Sequence, residues 1–159
     1  MDRFDQLVAM LTAGGAGFRV IEHPAEGQSE RVAAIRGTRP SQGAKAILCR
    51  VAAADREHFV LAVVPGDRRV DMKALGALFG GRKASFVPAD RAEEITGCRI
   101  GAIPPVAFDD GLSVVADEAF LQDEPEIAFN AGRLDRSIVM KAADYKRVFA
   151  PRIARIAAA

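Results

Sequence analysis

Lys45 opens the apolar run Ala44-Lys45-Ala46-Ile47-Leu48-Cys49 directly after Gly43, where an apolar pattern does not call for a charge. Two readings fit it. A strand-end lysine lays its stem along the sheet and lifts its ammonium to water. Turned into a sheet face, the same ammonium holds a substrate carbonyl or phosphate. The loop Gly97-Cys98-Arg99-Ile100-Gly101-Ala102-Ile103-Pro104-Pro105 is the second place where chemistry fits. Its glycines admit close backbone approach to a ligand and its prolines stiffen it, so the Gly101 and Ala102 amides are candidates for an oxyanion site. A surface turn with conformational glycines is the plainer alternative.

His23-Pro24 marks the end of a strand, where a lone histidine is either a loop residue or a candidate substrate contact. Asn130-Ala131-Gly132 follows an apolar run. It reads as a turn, or as an amide placed to meet the polar groups of a substrate. No phosphate-cradling GxGxxG or GxxxxGK[ST] occurs, and there is no GxSxG elbow. Cys49 and Cys98 form no CxxC spacing, and the only histidines are His23 and His58. Free thiols in a reducing compartment follow, and neither a metal site nor a cofactor is expected.

These residues need elements to hold them. Phe4, Leu7, Val8 and Leu11 repeat at helical spacing between a capping Asp2 and Gly14-Gly15. Phe18 to Ile21 reads as a strand, and Ser29 as the N-cap of a helix to Arg36 closed by Gly37. Ala44 to Val51 and Phe59 to Val64 form a hairpin, with Pro65-Gly66-Asp67 turning the chain afterwards. Asp71 caps a helix carrying Met72, Leu75, Leu78 and Phe79, and a short strand near Ala84-Ser85-Phe86 follows. Pro88 to Thr96 is a helix stopped by Gly97, and Leu112 to Ala116, Ile127 to Phe129 and Ser137 to Met140 are strands. A last helix runs from Ala142 to about Phe149, before Pro151 and a basic tail. Adjacent strands too close for helical crossovers predict an α+β fold with a mixed, largely antiparallel curved sheet flanked by helices, in one domain spanning 1–159.

Composition bounds the function. The chain is 50% hydrophobic and 27% charged with a net charge of +1, an ordinary globular balance with no overall signature of a nucleic-acid binder. No apolar run approaches the roughly 20 residues of a membrane helix, and the N-terminus lacks the order of a signal peptide, so a cytoplasmic protein is expected. Arg68-Arg69, Arg82-Lys83, Lys146-Arg147, Arg152 and Arg155 are solvated surface charge or, in part, a local patch for a polyanion.

In order along the chain, Val20-Ile21-Glu22-His23-Pro24, Gln42-Gly43-Ala44-Lys45-Ala46, Gly80-Gly81-Arg82-Lys83-Ala84-Ser85, Thr96-Gly97-Cys98 with Gly101-Ala102-Ile103-Pro104-Pro105, and Phe129-Asn130-Ala131-Gly132 resemble the YbaK/EbsC family. This is the fold of the editing domain inserted in bacterial prolyl-tRNA synthetases. The resemblance implies hydrolysis of the ester joining a wrong amino acid to the tRNA terminal adenosine. It puts the family's pocket lysine on Lys45 and its GxxxP loop on Gly101 to Pro105. It further implies substrate contacts at His23, Ile103, Pro105, Asn130 and Gly132. The Asn-Ala-Gly version resembles the free-standing branch that clears seryl- and threonyl-tRNA. The implied partners are the aminoacyl-tRNA 3′ end and, beyond it, an aminoacyl-tRNA synthetase; neither a membrane nor DNA is implied. A non-catalytic tRNA- or synthetase-binding module of the same fold is the competing reading.

Overall fold

The structure is a computed structural model that describes residues 1–158, so residue 159 of the expected domain lies outside the described residues. Helix α1 (Arg3–Ala13) begins where Asp2 Oδ1 accepts the Asp5 N–H at 2.8 Å, and its i, i+4 pair Leu7 and Leu11 is fully buried. Strand β1 (Phe18–Glu22) leads to α2 (Ser29–Arg36). Here the structure corrects the sequence: Gln28 is the N-cap, without a side-chain cap bond, and Ser29 is already helical. Glu26 instead takes the Gly27 and Gln28 N–H groups at 3.1 and 3.0 Å, fixing the approach to the helix.

After a 3-10 turn (Pro40–Gln42), β2 (Ala44–Ala52) and β3 (Glu57–Pro65) form the expected hairpin, in register from Ala44 opposite Pro65 to Ala52 opposite Glu57. Both faces of β2 are covered. Ala44, Ala46 and Leu48 point to one apolar layer, and Ile47, Cys49 and Val51 to another, which is why the run reads as continuously apolar. Then come β4 (Arg69–Val70), α3 (Met72–Leu78) capped by Asp71, β5 (Ser85–Phe86) and α4 (Ala89–Thr96). The chain continues through β6 (Ser113–Asp117), α5 (Glu118–Asp123), β7 (Glu126–Arg133), β8 (Arg136–Lys141) and α6 (Ala142–Phe149), and closes with β9 (Arg152–Ala154) and β10 (Ala157–Ala158).

The strands form a mixed sheet in the order β5-β2-β3-β6-β9, an antiparallel sheet β1-β8-β7, and a small pair β10-β4. Among the described strands, only β3–β6 and β6–β9 pair in parallel, and α3 and α4 lie in the long β3-to-β6 connection. The expected α+β fold is the observed one. A single parallel bridge, Gly43 to Ala128, joins the start of β2 to β7 and so connects the two larger sheets.

Among the described residues, the 3-10 turn, β4, α5, β9 and β10 escaped the sequence reading. The stretch expected as a basic tail is instead built in. Ile156 is fully buried, and Asp117 Oδ1 accepts the Ile156 and Ala157 N–H groups, each at 3.0 Å. The other oxygen of Asp117 caps α5 through the Phe120 N–H at 3.1 Å. One buried carboxylate therefore satisfies three backbone donors from two segments. Asp117→Ala leaves them without partners, and a loss of about 3 kcal/mol is expected in urea unfolding, at the upper end of single-residue effects. A loss below about 1 kcal/mol would mean that water replaces the carboxylate.

Candidate functional site

At the seam between the two larger sheets lies a small cleft of about 60 Å³, walled by Gly27, Ser29, Arg36, Lys45, Gly101 and Asn130, with Ile103 among its apolar residues. Four of the residues singled out by sequence, Lys45, Gly101, Ile103 and Asn130, thus meet in one place. They come from β2, the loop after α4 and β7, which only the fold brings together.

Asn130 is the centre. It is 5% exposed, and its Nδ2 donates to the Glu26 and Gly101 carbonyls, both at 2.8 Å. Its Oδ1 accepts from Arg36 Nη2 and from Ser137 Oγ, both at 3.0 Å. The amide has two donors and two lone pairs, and all four are used. Asn130 therefore fixes the loops that form the cleft and has no hydrogen bond left for a substrate hydroxyl, the job the sequence reading gave it.

Arg36, the last residue of α2, was not singled out by sequence. A basic residue in a last helical turn is ordinary, because it complements the helix dipole. Here Nε donates to Ser137 Oγ at 2.6 Å and Nη2 to Asn130, while Nη1 makes no hydrogen bond among the described residues. A Cβ on Gly43 would stand 4.0 Å from Nη1, so glycine leaves the cleft open in front of the guanidinium. Burial lowers the Arg36 pKa to about 10, with no carboxylate to offset it. A half-buried, still protonated guanidinium without an acid partner faces the cleft. Ser137 was also missed: it stands between Arg136 and the apolar Ile138, Val139 and Met140, an ordinary place for a strand-end serine, and only the fold shows it fully buried.

Lys45 lines the cleft, but its ammonium rests on the Arg68 carbonyl at the β3–β4 turn. Its pKa is lowered, chiefly by burial, with Asp67 acting in the opposite direction. Gly101 has φ +88, and a Cβ there would lie 2.7 Å from Gly27 Cα and 2.9 Å from its carbonyl oxygen. The two glycines are the crossing point of two loops, and neither loop can retreat without losing Asn130.

Four expected site residues stand outside the cleft. The Ala102 N–H donates to the Arg99 carbonyl at 2.9 Å and the residue is buried, so its amide is not an oxyanion donor in this structure. Gly101 N–H makes no hydrogen bond among the described residues and is the amide of the pair that stays available. Pro105 is buried behind the loop and its carbonyl accepts from the Tyr145 hydroxyl. His23 is a buttress: Nδ1 meets the Pro24 carbonyl at 2.9 Å and Nε2 meets Ser137 Oγ at 2.7 Å. Gly132, at φ +81, packs on the start of α1, where a Cβ would meet the Phe4 nitrogen at 3.1 Å. Both thiols are buried, and burial raises Cys49 to about 12 and Cys98 to about 11, values of inert cysteines. Among the described residues no cluster of His, Cys, Asp or Glu is arranged to hold a metal ion.

The sequence of this chain matches the aminoacyl-tRNA editing domain over residues 23–148, and the chain belongs to that family. Among its relatives is the multifunctional Ser/Thr-tRNA deacylase ProXp-y of Escherichia coli K12, 43% identical over 148 residues that cover 93% of this chain and 89% of the relative. The O157:H7 counterpart gives the same figures. Two solved structures share the fold. A hypothetical protein superimposes with TM-score 0.85 at 19% identity, over 96% of this chain and 99% of that one. A candidate trans-editing enzyme for prolyl-tRNA synthetase gives 0.79 at 23% identity, over 100% and 99%.

The Gly27–Gly101 crossing makes a direct prediction. Gly101→Ala combines a positive φ with a backbone clash, and a stability loss of about 1–3 kcal/mol is expected by thermal or urea unfolding. Gly15→Ala, at φ +68 with nothing within 4 Å, should cost less. Equal losses would mean that φ alone matters and the crossing does not.

Proposed function

We propose that this protein is a trans-editing deacylase that hydrolyses the ester of serine, threonine or another small amino acid on tRNA. The observation that carries the reading is the small cleft in which an acid-free guanidinium, a lysine and a glycine-pinned loop converge. The family of the chain and the name of its E. coli relative support it. The protein works in the cytoplasm as one domain; no helix among the described residues is long and apolar enough to cross a membrane.

An aminoacyl ester is already activated, so the protein needs to place a water and stabilise the developing oxyanion, not to build a strong nucleophile. The Gly101 N–H is the backbone donor for that oxyanion. Lys45 supplies the charge, leaving its resting contact on Arg68 as the ester enters. No side chain at the cleft is an evident general base, and the ribose 2′-hydroxyl of the substrate fills that role in orienting water. No residue of the cleft attacks covalently, and neither cysteine lines it.

Selectivity follows from size and from one donor. The cleft has room for only a few heavy atoms, and volume alone discriminates by about 1–3 kcal/mol per methylene. Asn130 has no capacity to read a hydroxyl, so that role falls to Arg36 Nη1. A seryl or threonyl hydroxyl accepts from it, and an alanyl side chain leaves it without that partner.

The activity test is release of Ser, Thr and Ala from their tRNAs by wild type and Lys45→Ala. Fast release of Ser or Thr, reduced about 100-fold or more in a variant with unchanged melting temperature, is the expected result. No release by the wild type would return the chain to the binding-module reading. A second measurement isolates Arg36. Arg36→Gln should lower kcat/KM for Ser-tRNA about tenfold more than for Ala-tRNA. Equal losses on both substrates would make Arg36 only a support for Asn130.

A further inference from the structure

Beyond the cleft, the chain carries a second concavity that the deacylation mechanism above leaves unused. It is an apolar groove of about 320 Å³ lined by Ala46, Leu48, Phe86, Ala89, Ile100 and Ile103, among others. That size is within the range of small-molecule sites. The groove and the cleft have Ala46, Gly101 and Ile103 in common, so the two adjoin.

The groove follows an open stretch of strand edge. Gly43 gives its carbonyl to the Gly66 N–H toward β3. Pairing alternates from there, which turns the N–H and C=O groups of Ala46, Leu48 and Arg50 away from β3. Leu48 uses its outward carbonyl to accept the Val87 N–H at 3.1 Å, and Arg50 is paired with Ser85 of β5. β5 reaches no further than Cys49, and the bridge to β7 lies at Gly43, so no strand pairs with this edge at Ala46. An outward backbone donor and acceptor thus stand at the junction of cleft and groove. At the groove rim, Phe86 is 66% exposed and Ile100 50% exposed, the two large apolar side chains that the fold leaves to solvent there.

We propose that the groove seats the adenine base of the substrate's 3′-terminal nucleotide, with Phe86 as its stacking face and the Ala46 strand edge as its hydrogen-bonding partner. The inference rests on the deacylase reading for the identity of the ligand. A planar, apolar-faced base with donors and acceptors on its rim suits a groove with apolar walls and one polar edge. In an aminoacyl-adenosine, one ribose separates the ester from the base, and the three shared residues are what that ribose spans. Stacking is tolerant of base identity, so the site contributes affinity for the end of the tRNA without reading the amino acid.

Adenosine 5′-monophosphate titrated into the full chain tests this without requiring catalysis. Saturable backbone amide shifts in NMR spectra at Ala46, Val87 and Ile103, with affinity weakened about fivefold or more in Phe86→Ala, are expected. Phe86 is exposed, and an unchanged melting temperature excludes unfolding as the cause. The same variant should raise KM for Ser-tRNA and leave kcat within about twofold. Absence of saturable shifts at those amides, or shifts insensitive to Phe86→Ala, overturns the proposal. A wild type that binds the nucleotide there but leaves every aminoacyl-tRNA intact keeps the groove and removes the deacylase reading. A wild type that hydrolyses Ser-tRNA but shows no shifts at the groove removes the groove alone.

Discussion

The side-chain amide of Asn130 ties together four parts of the chain: the loop before α2 through Glu26, the loop after α4 through Gly101, the end of α2 through Arg36, and β8 through Ser137. At 5% exposure, an unmade bond here would cost the full desolvation of each group, of order 1–3 kcal/mol. A fully satisfied network of this kind specifies one arrangement of its members more strongly than apolar packing does. The position of the cleft follows from it. Gly101 is drawn against Gly27, and Arg36 is held with one end committed to the network and the other toward the cleft.

That arrangement separates two tasks which a single polar residue often combines. The residues that build the cleft, Asn130, Ser137 and His23, have their hydrogen-bonding groups engaged within the protein. The groups without a partner there, Arg36 Nη1 and the Gly101 N–H, are presented by that frame, while the Lys45 ammonium on β2 rests on the Arg68 carbonyl. Rigid support behind a small set of free donors is what electrostatic stabilisation of an oxyanion requires, since donors that must reorganise during the reaction lose much of their effect.

The adenine groove and the cleft also draw on one structural fact, the early departure of β5 from β2. Two paired residues suffice to anchor β5 at Cys49 and Arg50. The rest of the β2 edge is left to face α4 and the Gly101 loop. An exposed strand edge is normally a liability that proteins cover or charge. Here short length, a neighbouring helix and a flanking loop limit access to something thin, such as a base.

Much of the architecture was legible from the sequence. The period of Leu7 and Leu11, the caps Asp2 and Asp71, the β2–β3 hairpin and the stops at Gly37 and Gly97 are local features, and local features are written in local sequence. The family resemblance named Lys45, Gly101, Ile103 and Asn130, four residues that the fold gathers at one cleft. What the sequence could not determine was which groups are free, because that depends on partners distant along the chain. Asn130 is used up by partners from Glu26 to Ser137, and Lys45 leans on Arg68, neither of which their own neighbours announce. β9, β10 and the buried Ile156 were equally unreadable, since so short a segment becomes strand only when the edge of β6, β4 and Asp117 are there to receive it. Residue types and their order determined the family and the neighbourhood of the site; the tertiary structure alone decided which hydrogen-bonding groups remain open to a substrate, because hydrogen-bond satisfaction is a property of the whole fold.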